Sequence, residues 1–104
     1  MSKLMNKYKN ELNFLTTSRP NTARLLFKHL PEDFIFAIVD AVWTTLSGKV
    51  PLKPEEVARV KSVQSTLRKI ASRGQTVSER RTVLTSWRGV KAVKTLFNAL
   101  KEHF

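Results

Sequence analysis

The chain has 104 residues, no cysteine and a formal net charge of +11. The absence of cysteine excludes disulfides, thiolate metal ligands and cysteine nucleophiles, and no apolar run approaches the roughly 18 residues of a membrane-spanning helix. A chain of this length is expected to form one domain that buries roughly two thirds of its unfolded surface. Because the start of the chain is too polar for a signal peptide, we expect an intracellular protein that is not secreted.

Apolar residues recur at spacings of three and four, which predicts an all-α fold: a compact, single-domain bundle of five or six helices over residues 1–104. The first helix is predicted over residues 3–16. The second is predicted over residues 20–28, because Pro20 suits a first-turn position that needs no N–H donor. The third is predicted over residues 31–46, and its wide apolar face predicts that it is the central helix.

A proline-rich connection over residues 48–54 joins a more apolar half, residues 1–47, to a basic half, residues 54–104. Both X–Pro pairs in this connection disfavour helix before the proline. The fourth helix is predicted over residues 54–72, with Gly74 just beyond its end. We treat the connection as a joint within one domain, because neither half has enough apolar area to form a secure core alone.

The pattern Thr-Val-Ser-Glu at residues 76–79 predicts a capping box. In this motif the threonine hydroxyl and the glutamate carboxylate each accept a hydrogen bond from the other residue's backbone N–H. It marks the start of a fifth helix, predicted over residues 77–87. Gly89 is predicted to break or kink the chain before a last helix over residues 90–103.

The charge is distributed unevenly along the chain. Residues 1–56 contain 8 Lys/Arg and 6 Asp/Glu, whereas residues 57–104 contain 11 Lys/Arg and 2 Asp/Glu. With so few carboxylates, the second half cannot neutralise its cations through surface ion pairs, so it projects a positive field. Such a field suits a polyanionic partner, which means nucleic acid or an anionic membrane.

Eight cations near the junctions of the last three predicted helices are the candidate contacts to nucleic-acid phosphates. They are Lys61, Arg68, Lys69, Arg73, Arg80, Arg81, Arg88 and Lys91. Phosphate binding requires several cations on one surface, because each neutralised phosphate releases counterions. Cations near helix C-termini also stabilise the helix dipole, which offers an alternative explanation for some of them. That explanation does not apply to Arg80 and Arg81, which lie near a predicted helix start.

The fourth and fifth predicted helices, with the short turn at Gly74, are compatible with a helix–turn–helix pair. Asparagine and glutamine are scarce in the second of these helices, which disfavours base-specific reading. Aromatic residues could stack on bases, but at helical spacing they are more typical of a core. Trp43 and Phe97 are therefore predicted to be buried. For Trp87, beside Arg88 at a helix end, both interpretations stay open, with the core favoured.

Catalysis has little support in the sequence. His29 and His103 do not form a metal-spaced pair, the acidic residues lie at predicted helix starts, and no glycine-rich phosphate loop is present. We therefore predict no catalytic residue, no metal site and no cofactor, and a protein that is not an enzyme.

Together these observations predict a nucleic-acid-binding protein that contacts mainly phosphates, with little sequence preference. The alternative is a protein-interaction or assembly module, such as a virion component or a homo-oligomer, that uses the basic face and the C-terminal helix. Because that helix is cationic and amphipathic, binding to an anionic membrane is a third interpretation. A helix that closes the core is favoured over the membrane interpretation.

Residues 12–30, residues 46–54 (LSGKVPLKP) and residues 67–73, followed by the glycine at 89, resemble a group of small basic proteins. These are encoded by adenovirus-like DNA viruses and by related self-synthesising transposons of animals, the adintovirus and Polinton group. The resemblance implies a viral or virus-derived genome setting, with the protein in the host-cell nucleus or the virion. It therefore favours DNA over RNA as the partner, and it implies no particular chemical activity.

Overall fold

The computed structural model describes residues 7–100, and over this range the chain is all-α, with seven helices and no strand. The helices are α1 (Lys9–Thr17), α2 (Pro20–His29), α3 (Glu32–Leu46), α4 (Pro54–Ser62), α5 (Gln64–Ala71), α6 (Val77–Leu84) and α7 (Trp87–Leu100). The predicted helical bundle is confirmed, with one helix more than the upper predicted number. Those parts of the predicted first and last helices that precede residue 7 or follow residue 100 lie outside the described residues.

Local signals in the sequence set several of the helix ends. Pro20 and Pro54 are the first residues of α2 and α4, as predicted. The predicted capping box at the start of α6 is present: the Glu79 N–H donates to Thr76 Oγ1 at 3.1 Å, and the Thr76 N–H donates to Glu79 Oε1 at 3.2 Å. The turn between α5 and α6 contains Gly74 at a φ of +82°, a conformation that L side chains rarely adopt.

The predicted fourth helix is divided at Val63 into α4 and α5. At this residue φ is −115°, and its N–H donates to the carbonyl of Val60, three residues back, at 3.1 Å. In an unbroken α-helix, residues spaced three apart are offset by about 60° at each step. Val57, Val60 and Val63 would therefore not lie on one side of such a helix. The break lets Val60 and Val63 share the core with Leu67, whereas Val57 stays 36% exposed.

The prediction that Gly89 breaks or kinks the chain is wrong. Gly89 lies within the first turn of α7, and the break between α6 and α7 falls at Thr85 and Ser86. The Ser86 hydroxyl accepts from the Gly89 N–H at 3.0 Å, as a residue at a helix N-terminus does. Glycine is needed at this place because a Cβ would lie 1.9 Å from the backbone oxygen of Val83. The residue therefore marks a close approach of α7 to the end of α6.

The central helix is α7, and not α3 as the apolar pattern predicts. α7 packs against α1, α2, α4, α5 and α6, whereas the main contacts of α3 are with α5 and α6. Small residues on α7 let its neighbours come close: Gly89, Ala92 and Ala99 are all buried. The exposed Lys91 and Asn98 lower the apolar content of α7, which explains why the pattern favours α3.

One apolar core receives side chains from all seven helices, so the more apolar half and the basic half of the chain share it. The largest fully buried side chains are Phe27, Phe34 and Phe97, from α2, α3 and α7. The radius of gyration is 12.3 Å, close to the roughly 13 Å expected for a compact domain of about 100 residues. Within residues 7–100, the helices are too short or too polar to cross a membrane.

We predict that Gly89→Ala lowers the free energy of unfolding by about 1–2 kcal/mol. The added methyl group would meet the Val83 carbonyl, and the cost of such overpacking, about 1–3 kcal/mol, outweighs the helix propensity gained, about 1 kcal/mol. Urea denaturation followed by circular dichroism measures the change. Asn98→Ala, at an exposed position of the same helix, is the control and should stay within about 0.5 kcal/mol of wild type. A Gly89→Ala protein as stable as wild type would contradict the close approach of α6 and α7.

Candidate nucleic-acid interface

A groove with one exposed indole lies between the end of α3 and the end of α5. It has a volume of about 500 Å³, and its lining residues are Trp43, Leu46, Ser47, Arg68, Ser72 and Arg73. We call it the Trp43 groove. Two of the predicted phosphate contacts, Arg68 and Arg73, are exposed on it. It therefore combines an aromatic surface with two cations.

The carbonyl groups at the end of α5 have side-chain partners. The Trp43 Nε1–H donates to the Ala71 carbonyl at 3.1 Å, and Arg80 Nη2 donates to the Ser72 carbonyl at 3.1 Å. The Gln75 amide donates to the Lys69 carbonyl at 2.6 Å. The last carbonyls of a helix carry partial negative charge and have no partner within the helix. These three donors therefore reduce the repulsion that an anion would meet here.

Lys61 lies on a neighbouring groove that also includes Leu46, so the two grooves adjoin. With its amide oxygen turned toward Arg68, the Gln64 side chain accepts a hydrogen bond from Arg68 Nη2 at 2.6 Å. This bond holds the arginine along α5. Lys69 is exposed on the same helix. Four of the eight predicted contacts, Lys61, Arg68, Lys69 and Arg73, thus lie exposed on or near the α4–α5 segment.

Arg80 and Arg81 have structural roles that the sequence does not reveal. Arg80 is only 9% exposed, and its guanidinium bonds to the Ser72 carbonyl. Arg81 is half-buried, and its Nη1 donates to the carbonyl of Phe27, at the end of α2, at 3.1 Å. Both guanidinium groups therefore bind the C-terminal ends of other helices. The sequence suggests that Arg80 and Arg81 have no structural role, and this inference is wrong.

Arg88 and Lys91 are exposed near the start of α7. Lys91 lines a second groove, together with Trp87, Lys94 and Pro20, which we call the Trp87 groove. The guanidinium of Arg24 lies 5.5 Å from the centre of the Trp87 ring. Of the eight predicted contacts, two line the Trp43 groove, Lys61 lines the groove beside it and Lys91 lines the Trp87 groove. Lys69 and Arg88 are exposed outside these grooves, and the remaining two turn into the fold.

Carboxylates are scarce around the exposed cations of the second half. Within residues 7–100, the ion pair that the structure contains joins Lys7 to Asp33 at 3.9 Å, away from the α4–α5 segment. Over that same range, no cluster of three or more histidine and acidic residues is placed to hold a metal ion. Within the described range, the exposed cations of the second half therefore have no carboxylate ion-paired to them that an external anion would have to displace.

α5 and α6 form a helix pair joined by a short turn, but α6 is poorly suited to enter a DNA groove. Its exposed side chains are Ser78, Glu79 and Thr82, whereas its two arginines point into the fold. A recognition helix presents donors and cations to base edges and phosphates. The exposed side of α6 carries a carboxylate instead.

The prediction that Trp43 is buried is wrong, since 45% of the side chain is exposed. Phe97 is fully buried, as predicted. The favoured core position of Trp87 is wrong, because 56% of this residue at the start of α7 is exposed. The sequence holds one relevant signal: Phe36 and Trp43 are seven residues apart on α3, and both are exposed. A helix that is apolar on nearly every side does not indicate which of its sides faces water.

The chain was compared with protein-family models, with curated proteins and with solved structures, and none of them matches it. The resemblance of residues 46–54 to the small basic proteins of adintoviruses and Polintons stays a prediction. The functional argument therefore depends on the geometry and charge of the surface.

We predict that Arg80→Ala lowers the free energy of unfolding by about 2 kcal/mol. The substitution removes a hydrogen bond from a charged donor to the Ser72 carbonyl in a largely buried place. Arg73→Ala, at an exposed position in the adjacent turn, is the control and should change stability by less than about 0.5 kcal/mol. Urea denaturation of both variants measures the difference, and equal stability losses would contradict the structural role of Arg80.

Proposed function

We propose that the protein binds nucleic acid mainly through phosphates and with little sequence preference. The observation that carries this proposal is the group of exposed cations on and beside the α4–α5 segment, none of which forms an ion pair within residues 7–100. The proposed contacts are Lys61, Arg68, Lys69 and Arg73, with Arg88 and Lys91 as a second group at the start of α7. Arg80 and Arg81 leave the proposed contact set because their guanidinium groups bind backbone carbonyls.

The geometry favours backbone binding over base-specific reading. The cations lie on open grooves and on a turn, and the exposed side of α6 offers no cation to a base edge. Phosphate contacts fix the position of a protein on nucleic acid without carrying sequence information. The DNA-virus setting that the resemblance implies makes DNA the favoured substrate within this proposal.

Assembly through the last helix is the less favoured proposal. The apolar side of α7 packs against five other helices, so the described part of that helix offers a partner Trp87 and Arg88 at its start and Lys91, Thr95 and Asn98 farther along. Stable homo-oligomers bury apolar surface more extensively than this. On the described part of α7, Trp87 is the one large apolar side chain that an assembly through this helix could bury.

The proposal is tested by fluorescence anisotropy of labelled duplex DNA, single-stranded DNA and RNA with the purified protein. The salt concentration is varied from about 50 to 300 mM, where phosphate contacts weaken steeply. Submicromolar binding at low salt, independent of sequence, is the expected result. Absence of binding to all three ligands at the lowest salt concentration would contradict the proposal.

We predict that the double variant Arg68→Gln and Arg73→Gln reduces the slope of log affinity against log salt on duplex DNA by about 1.8. Each phosphate contact contributes about 0.9 to that slope, and both arginines are proposed contacts. The control is Lys9→Gln with Lys28→Gln, which removes the same charge from exposed positions on α1 and α2. A control slope that falls as much as that of the arginine variant would show that net charge, and not this surface, governs binding.

A further inference from the structure

We propose that the Trp43 groove is a binding site for single-stranded nucleic acid, in which an unpaired base stacks on the Trp43 indole. Arg68 and Arg73 then bind the phosphates on either side of that base. This inference rests on the proposed nucleic-acid binding and specifies the form of the substrate. It is carried by an exposed indole in a groove that also holds two guanidinium groups, neither of which forms an ion pair within residues 7–100.

The Trp43 indole is held in a fixed orientation. Its one polar group, the Nε1–H, donates to the Ala71 carbonyl at 3.1 Å, while 45% of the side chain remains exposed. A tryptophan whose N–H is already bonded has only apolar surface left to offer a ligand. Because a hydrogen bond to the protein holds the ring in place, little conformational entropy is lost when a base stacks on it.

The charges around the indole suit the sugar–phosphate backbone. Arg68 and Arg73 line the groove, and Ser47 and Ser72 add hydroxyl groups. The donors bonded to the end of α5 reduce the negative potential that would otherwise repel a phosphate here. A purely apolar ligand would contact the indole but not the two guanidinium groups. A single-stranded nucleic acid can contact both, because its bases are flat rings and its phosphates are anionic.

The other exposed indole is less suited to stacking. The Arg24 guanidinium lies 5.5 Å from the centre of the Trp87 ring and occupies one of its faces. Within residues 7–100, no cation or aromatic ring covers Trp43 in this way. This difference places the stacking site on Trp43 and makes Trp87 a matched control.

Stacking distinguishes single strands from duplexes. In a duplex each base is already stacked between its neighbours and lies inside the helix, so an indole on a protein surface cannot reach its face. An unpaired base presents that face, and stacking on an aromatic side chain strengthens binding without requiring a particular sequence. The phosphates, in contrast, are accessible in both forms.

The test compares Trp43→Leu with Trp87→Leu by anisotropy, using a labelled single strand and the duplex of the same sequence at about 150 mM salt. Trp43→Leu should weaken single-strand binding about 10-fold or more, as expected for the loss of one stacked base. Its effect on duplex binding should be about 2-fold or less, and Trp87→Leu should have little effect on either ligand. Circular dichroism confirms that both variants remain folded.

A second measurement uses the fluorescence of Trp43 itself and does not depend on a Trp43 substitution. In the Trp87→Phe variant, Trp43 is the one remaining tryptophan of the chain. Stacking of a base should quench its emission when the single strand is added, and the duplex should quench it much less. Equal quenching by the two ligands would overturn the stacking site.

The outcomes separate this inference from the proposed function. If wild type binds neither single strands nor duplexes, both proposals are overturned. If wild type binds and the Arg68→Gln, Arg73→Gln variant is weakened while Trp43→Leu is not, the stacking site alone is overturned. Equal losses in Trp43→Leu and Trp87→Leu, or equal losses on single strand and duplex, also overturn it.

Discussion

The fold depends on how closely its other helices approach α7. A Cβ at Gly89 would lie 1.9 Å from the Val83 oxygen, so the start of α7 touches the backbone at the end of α6. From this contact α7 continues through the core, where Ala92, Val93, Leu96 and neighbouring side chains are buried. Since α7 also packs against α1, α2, α4 and α5, its position fixes where the basic surface lies relative to the rest of the bundle.

Part of the positive charge of the second half stabilises the fold. Arg80, Arg81 and Lys94 donate to the carbonyls of Ser72, Phe27 and Ser18, which lie at the C-terminal ends of α5, α2 and α1. The C-terminal end of a helix carries partial negative charge and unpaired carbonyls. A cationic side chain there offsets the charge and also donates hydrogen bonds to the carbonyls. Net charge alone therefore overstates the charge available to a ligand, because these side chains stabilise the fold.

Features that depend on neighbouring residues were predictable from the sequence. Proline starts α2 and α4, and the capping box between Thr76 and Glu79 starts α6, because these interactions operate within one helical turn. The break at Val63 and the helical setting of Gly89 were not predictable. Both result from packing between helices, and a single sequence does not show which helices meet.

In the candidate site, too, features set by the local sequence were predictable and features set by packing between helices were not. The exposed cations of the α4–α5 segment were predicted from charge alone, because a lysine or arginine without an acidic neighbour usually faces water. Arg80 was misjudged because its partner, the Ser72 carbonyl, belongs to the end of another helix. Trp43 was misjudged because α3 is apolar on nearly every side, and only the position of α5 decides which side remains exposed.

A cation that stabilises the fold and the exposed cations of the Trp43 groove lie together at the end of α5. A helix C-terminus is ordinarily a poor place for a phosphate, since its carbonyls repel anions. Here Arg80 binds one carbonyl from within the fold, and the Trp43 N–H binds another from the groove side. The same hydrogen bond that reduces the negative potential also holds the indole face open to solvent. Structural capping and the proposed ligand binding are therefore not alternatives at this position, because the first creates the conditions for the second.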